Sequence, residues 1–173
     1  MMPTSVENAL PAKPVGDRRI KIPIVAVVSL NGTCWPIHAK ITAVAGFSSE
    51  AIVAWATQHL APGCEVLSDG LACFSSVTNG GCRHEVIVTG VTHPKDLQQF
   101  RWIITLLENL KTSLTGTFNA FYFDKYARRY LGGYCYRFNR HFAMAYMTER
   151  ISNAACSSMS STERDLRVAE IYG

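Results

Sequence analysis

The spacing of hydrophobic positions changes along the chain, and each change marks a different element. The run Ile22-Pro23-Ile24-Val25-Ala26-Val27-Val28 is apolar at nearly every position and rich in β-branched residues, which predicts a buried strand over 22–30. Asn31-Gly32 follows, the dipeptide best suited to a tight hairpin. Beyond it Ile37, Ala39, Ile41 and Ala43 alternate with His38, Lys40 and Thr42, so a second strand should have one core face and one wet face. The spacing then lengthens. Ile52, Trp55, Ala56 and Leu60 recur at helical intervals after Ser48, a good N-cap, and Pro62-Gly63 stops the helix. Cys64-Glu65-Val66-Leu67-Ser68 returns to strand and closes on Asp69. A strand reached through a crossover helix runs parallel to one of its neighbours.

After a further short strand at Val86-Ile87-Val88 the chain turns helical. Leu97, Phe100, Ile103, Ile104, Leu107, Leu110 and Leu114 form one apolar stripe. A second long helix, from about Phe121 to Phe142, carries Tyr126, Tyr130, Leu131, Tyr134 and Phe138 on one face. Gly132-Gly133 in its middle predicts a kink, because each glycine costs about 1 kcal/mol relative to alanine there. Ser160 with Glu163 predicts a capped short helix near the end. Residues 1–20, with Pro3, Pro11 and Pro14, read as an irregular lead-in. The expected organisation is therefore a lead-in over 1–20, one mixed α/β domain over 21–150 and a tail over 151–173.

Composition narrows the class. At 173 residues, 48% apolar and 17% charged, the chain matches one ordinary globular domain. The net charge of +4 is unevenly placed. Between 101 and 150, Arg101, Lys111, Lys125, Arg128, Arg129, Arg137, Arg140 and Arg150 face only Glu108, Asp124 and Glu149, eight against three. A concentrated basic segment favours a polyanionic partner, most simply DNA. The six cysteines contain no pair at zinc-knuckle or redox spacing, and they read as small apolar residues of a reduced compartment. With no signal-peptide pattern and no apolar run of about 20 residues, the expectation is a cytoplasmic protein with no membrane partner.

Several blocks share one resemblance. Leu60-Ala61-Pro62-Gly63-Cys64-Glu65-Val66-Leu67-Ser68-Asp69-Gly70-Leu71-Ala72-Cys73-Phe74 is followed in order by Lys95-Asp96-Leu97, Phe100-Arg101-Trp102, Asn109-Leu110-Lys111-Thr112, Gly116-Thr117, Lys125 to Leu131 and Tyr136-Arg137-Phe138-Asn139-Arg140. This series resembles the catalytic domain of bacterial insertion-sequence transposases of the ISXO type, whose fold is similar to that of retroviral integrases. The resemblance implies an RNase H-like mixed sheet with flanking helices. It also implies metal-dependent DNA cleavage and strand transfer, with Mg²⁺ or Mn²⁺ as cofactor if activity remains. Two hard cations about 4 Å apart activate the attacking oxygen and stabilise the leaving one.

In that family three ligands hold the ions: an aspartate on the first strand, the aspartate of the Ser-Asp-Gly element, and an asparagine or glutamate on the following helix. The second falls on Asp69. The third falls on Ile104, within Trp102-Ile103-Ile104-Thr105, where no metal ligand is present. The first strand should precede Lys21, in a region whose only acidic residues are Glu7 and Asp17, so that strand is expected to be missing. Glu108, one helical turn after Ile104, is a substitute ligand for a shifted site. Lys111, Lys125, Arg128, Arg129, Arg137 and Arg140 are the expected DNA contacts. The expectation is a partial, inactive catalytic domain. The alternative is a non-catalytic DNA-binding module that pairs with itself or interferes with an intact related transposase.

Overall fold

A computed structural model describes residues 6–15, 22–87, 97, 100–117 and 123–167. The protein is a mixed α/β domain built on a five-stranded sheet. Its strands are β1 (Val6–Val15), β2 (Ile22–Leu30), β3 (Pro36–Ala43), β4 (Glu65–Ser68) and β5 (Arg83–Val86), in the order β3-β2-β1-β4-β5. β1 runs antiparallel to β2 and parallel to β4, and β4 runs parallel to β5. The helices are α1 (Ser49–His59), α2 (Arg101–Thr117), α3 (Phe123–Arg140), α4 (Met147–Ser157) and α5 (Glu163–Leu166).

The expectation of a missing first strand is corrected here. Residues 6–15 are not an irregular lead-in but β1, the middle strand of the sheet. Prolines argue against a central strand because they lack an N–H for the ladder. β1, however, has neighbours on both sides only over Val6–Ala9, where β4 pairs with it. Pro11 and Pro14 lie beyond that stretch, where β2 alone flanks the strand, and a register shift between Ala12 and Val15 spans Pro14. The prolines thus sit on what is locally an edge.

β2 is buried on both faces, as its unbroken apolar run requires. Ile24, Ala26 and Val28 join one core with α2 and α3, including Phe100, Ile103, Leu106, Leu110 and Leu131. Val25 and Val27 join a second core with α1 and the turn over Ala72–Gly80, including Ile52, Trp55, Phe74 and Val77. The sheet is therefore sandwiched between two helical layers. α1 begins as its sequence dictates: the Ser48 hydroxyl accepts from the Ala51 N–H at 3.2 Å.

Local details depart from the sequence pattern for identifiable reasons. The β2–β3 connection is a five-residue loop over residues 31–35 rather than a two-residue turn. The Asn31 side chain accepts from the backbone of Thr33 and Trp35, and Cys34, not Gly32, takes the positive φ of 59°. A register irregularity between Ser29 and Leu30 leaves Ile37 51% exposed although Ala39 and Ile41 are buried. α3 is interrupted at Tyr126 (φ −127°, ψ 18°), while the expected kink at Gly132-Gly133 does not occur. The terminal capping box is formed by Thr162 with Asp165, two residues later than Ser160 with Glu163.

The outer edge of β3 is closed by α3. Asn139 accepts the Ala39 N–H at 2.7 Å through Oδ1 and donates to the Ala39 carbonyl at 2.9 Å through Nδ2, copying the pairing of a neighbouring strand. One step along, the Ile41 N–H reaches Cys135 Sγ at 3.2 Å. This covering blocks edge-to-edge pairing.

His38 lies 2.9 Å from Asn139 Nδ2 through its Nε2, where only a neutral ring can accept. Burial, then Lys40 and Arg140, hold its pKa below the ordinary 6.5. The folded state thus binds this proton less tightly than the unfolded chain. The contribution to stability is complete above pH 6.5 and is lost as pH falls through the depressed folded value. His38→Gln is expected to flatten the fall in melting temperature between about pH 7 and 5, by a small amount because the ring is exposed and screened by solvent. An unchanged pH profile in the variant would exclude this account.

Candidate functional site

Asp69 stands immediately after β4, where the sequence places it. Ser68, the last residue of β4, pairs with Ala9 of β1 and is fully buried, so the strand end that presents Asp69 is fixed from both sides. On the β5 side Ser68 Oγ and His84 Nε2 lie 2.8 Å apart, and burial lowers the His84 pKa, keeping the ring neutral against the hydroxyl. Gly70 has φ +91°, and a Cβ there would meet Val86 Cγ1 at 3.3 Å, so the chain leaves Asp69 by a turn suited to glycine. The Asp69 carboxylate accepts from the Leu71 N–H at 3.4 Å, a long contact. Burial raises its pKa, and the hydrogen bonds to backbone N–H groups only partly offset this. Asp69 is thus a carboxylate that gains from a cation, and no ion pair joins it to a described side chain.

β1 supplies one acidic residue, Glu7, whose backbone pairs with Val66 of β4. Glu7 therefore lies on the strand beside the one that ends just before Asp69. The prolines of residues 1–20 hide the strand that carries Glu7 from the sequence pattern, and only the β1–β4 register reveals its position. Asp17, the other acidic residue there, lies outside the described residues, as does the Lys95-Asp96 part of the resemblance.

α2 carries the third position. Ile104 is half-buried and packs against the core formed with α3. Glu108, one turn on, is exposed. Among the described residues no three His, Cys, Asp or Glu side chains lie together in a way that holds a metal ion. Ile104 has no lone pair to offer a metal, and among the described side chains Asp69 is joined by no second carboxylate.

The basic residues occupy α2 and α3. Lys111, Arg128, Arg129 and Arg137 are exposed, whereas Lys125 and Arg140 are half-buried. Lys125 Nζ and the Arg129 guanidinium lie 5.0 and 5.5 Å from the Tyr126 ring centroid. Arg137 donates to Ser113 Oγ at 3.3 Å and, with Arg129, lines a cleft of about 140 Å³ between the two helices. Arg140 stacks 3.6 Å over Tyr136, and its Nε is buried without a partner. The tyrosines divide. Tyr134 is core, its hydroxyl donating to the Leu106 carbonyl at 3.0 Å and its pKa pushed up to about 12 by burial, while Tyr136 is exposed.

A second aromatic group, unforeseen in the sequence, joins α2 to the β2–β3 loop. Trp102 donates its indole N–H to the Cys34 carbonyl at 2.7 Å, and its ring lies 5.3 Å from that of Trp35. No apolar periodicity links residues 35 and 102, so only the fold brings them together.

Among the described residues no helix is long and apolar enough to cross a membrane. No curated protein matches the chain. The sequence profile described as the ISXO2-like transposase domain matches residues 7–139, a span that opens within β1 and closes on Asn139 at the β3 edge. But for Val6 and Arg140 the match takes in the sheet and both long helices, and the chain belongs to the ISXO2-like transposase domain family.

Proposed function

We propose that this chain is a transposase-derived DNA-binding domain that keeps an RNase H-like architecture but has lost two-metal phosphodiester chemistry. The strand order β3-β2-β1-β4-β5, with β4 and β5 parallel to a central β1, supports the architecture. The observation that carries the loss is Ile104, half-buried against the core at the position where the family places its third ligand. Metal chemistry of this kind depends on several charged oxygens arranged around the ions. Asp69, and Glu7 on the neighbouring strand, leave such a set incomplete. Glu108 would have to act from one helical turn away, about 5 Å, which spoils in-line geometry.

DNA binding then rests on the exposed cations Lys111, Arg128, Arg129 and Arg137, with Lys125 and Arg140 beside them. Binding of this type weakens with salt and needs no divalent ion. Without cleavage, a domain that pairs with itself or with an intact relative would interfere with transposition.

The test is thermal unfolding of the wild-type chain and Asp69→Asn, each with and without Mn²⁺, alongside a nicking assay on supercoiled DNA. A ligand of the native state must raise the melting midpoint. Neither protein is expected to shift with Mn²⁺, and neither should nick DNA. Because burial raises the Asp69 pKa, its ionised form opposes folding above that raised value, and this cost disappears as pH falls and the carboxyl protonates. Asp69→Asn should therefore melt at or slightly above wild type near neutral pH, within about 1 kcal/mol. A Mn²⁺-dependent rise in wild type alone, with nicking, would refute the loss of metal chemistry.

A further inference from the structure

We propose that Trp35, braced against Trp102, is a stacking platform for an unpaired nucleobase, with Arg101 placed to meet an adjoining phosphate. This rests on the DNA-binding reading and gives it a specific second contact, for single-stranded rather than duplex DNA.

Trp35 is 59% exposed at the end of the β2–β3 loop, an unusual setting for so large an apolar side chain. Its ring lies 5.3 Å from Trp102 at an interplanar angle of 42°, so one side is backed by protein while much of the ring remains in solvent. The loop beneath it is tightly fixed. Asn31 Oδ1 accepts from the Thr33 N–H at 3.0 Å, the Thr33 hydroxyl at 2.8 Å and the Trp35 N–H at 2.8 Å. The Asn31 N–H donates to the Trp35 carbonyl at 2.9 Å. Trp102 ties the same loop to α2 through the Cys34 carbonyl, and Cys34 is held in the left-handed region, the sole described non-glycine residue there. Strain of this kind persists where the surroundings fix a conformation, and it puts the ring in place before any ligand arrives.

The chemistry selects the occupant. The Arg101 guanidinium sits 5.5 Å from the Trp102 ring centroid, so a cation adjoins the aromatic pair. A nucleobase offers a flat π face and carries a phosphate within a few ångströms, which matches an aromatic surface with a neighbouring cation. In duplex DNA those faces are covered by adjacent base pairs, so a base must be unpaired to use Trp35. The basic segment that starts at Arg101 supplies the electrostatic attraction to the rest of the strand.

The full chain can be titrated by fluorescence anisotropy against a labelled duplex, the same duplex with a short thymine tail, and the same duplex with an abasic tail. The thymine tail should tighten binding by about 10-fold, the abasic tail should not, and Trp35→Ala should abolish the gain while leaving duplex affinity unchanged. Trp35→Phe should keep part of it. Intrinsic fluorescence gives an independent readout, because Trp55 is 4% exposed and quenching on binding must come from Trp35 and Trp102. A tail gain that survives Trp35→Ala, or that the abasic tail matches, overturns the platform. Duplex binding with no tail gain overturns the platform alone, whereas no binding to any of the three DNAs overturns the DNA-binding reading with it.

Discussion

Phe100→Ala is expected to lower the free energy of unfolding by about 3–5 kcal/mol, the largest effect of any substitution considered for this domain. Phe100 is completely buried in the core formed by β2, α2 and α3. Its N–H closes a turn on the Leu97 carbonyl just before α2 begins at Arg101. Truncation removes the transfer free energy of the ring and leaves a cavity lined by residues fixed on the sheet and on α3, which cannot all move inward. Urea titration with a fixed slope gives the value directly. A loss below about 1 kcal/mol would mean that the site collapses around the alanine and that Phe100 is not a core anchor. Trp102 follows two residues later, so the variant should also loosen its bond to Cys34 and raise the acrylamide quenching of Trp35.

Asn139→Leu should cost about 2–4 kcal/mol although the replacement is similar in size. The two hydrogen bonds to Ala39 are lost, and a net bond is worth about 1 kcal/mol. The larger part comes from the Ala39 N–H and C=O, which lie beside a residue with no exposed surface and would be left without partners under an apolar side chain. Asn139→Asp is the informative companion. Its carboxylate can still accept from the Ala39 N–H but cannot donate to the carbonyl, so it should fall between leucine and wild type. The leucine variant should also associate more readily at high protein concentration, since the edge of β3 is no longer satisfied from within. If Asn139→Leu melts with wild type, α3 does not seal that edge.

How far the sequence revealed these features depended on the distance over which each one is specified. β2, α1 and β4 were legible because their signals are local: an unbroken β-branched run, Ser48 before an apolar stripe, and a short strand after Pro62-Gly63. β1 was not, because Pro11 and Pro14 are unfavourable in a strand unless one knows that β4 ends at Ser68 and leaves them on an edge. The kink in α3 was misplaced for a related reason. Gly132 and Gly133 lower helix propensity, but the surrounding helix retains both, whereas Tyr126 departs from helical geometry near the start of α3. At the site, Asp69 and Ile104 could be read from a collinear family block. The position of Glu7 follows only from the β1–β4 register, and the contacts of Ser68 with His84 and of Trp35 with Trp102 require the folded sheet.

The central place of β1 has a consequence for the order of events in folding. β2 and β3 can form their hairpin locally, and β4 and β5 are a parallel pair joined through residues 69–82, but β1 must pair with Leu30 at one side and with Glu65 at the other from a single residue, Val6. The β1–β4 ladder closes a loop of nearly sixty residues, and ladders of such separation form late and slowly. During synthesis β1 therefore cannot complete its pairing until β4 emerges. Until then the edge of β1 that faces β4 remains open to other chains. The yield of native protein depends on that interval, on how quickly the ten residues of β1 find a partner synthesised some fifty residues later.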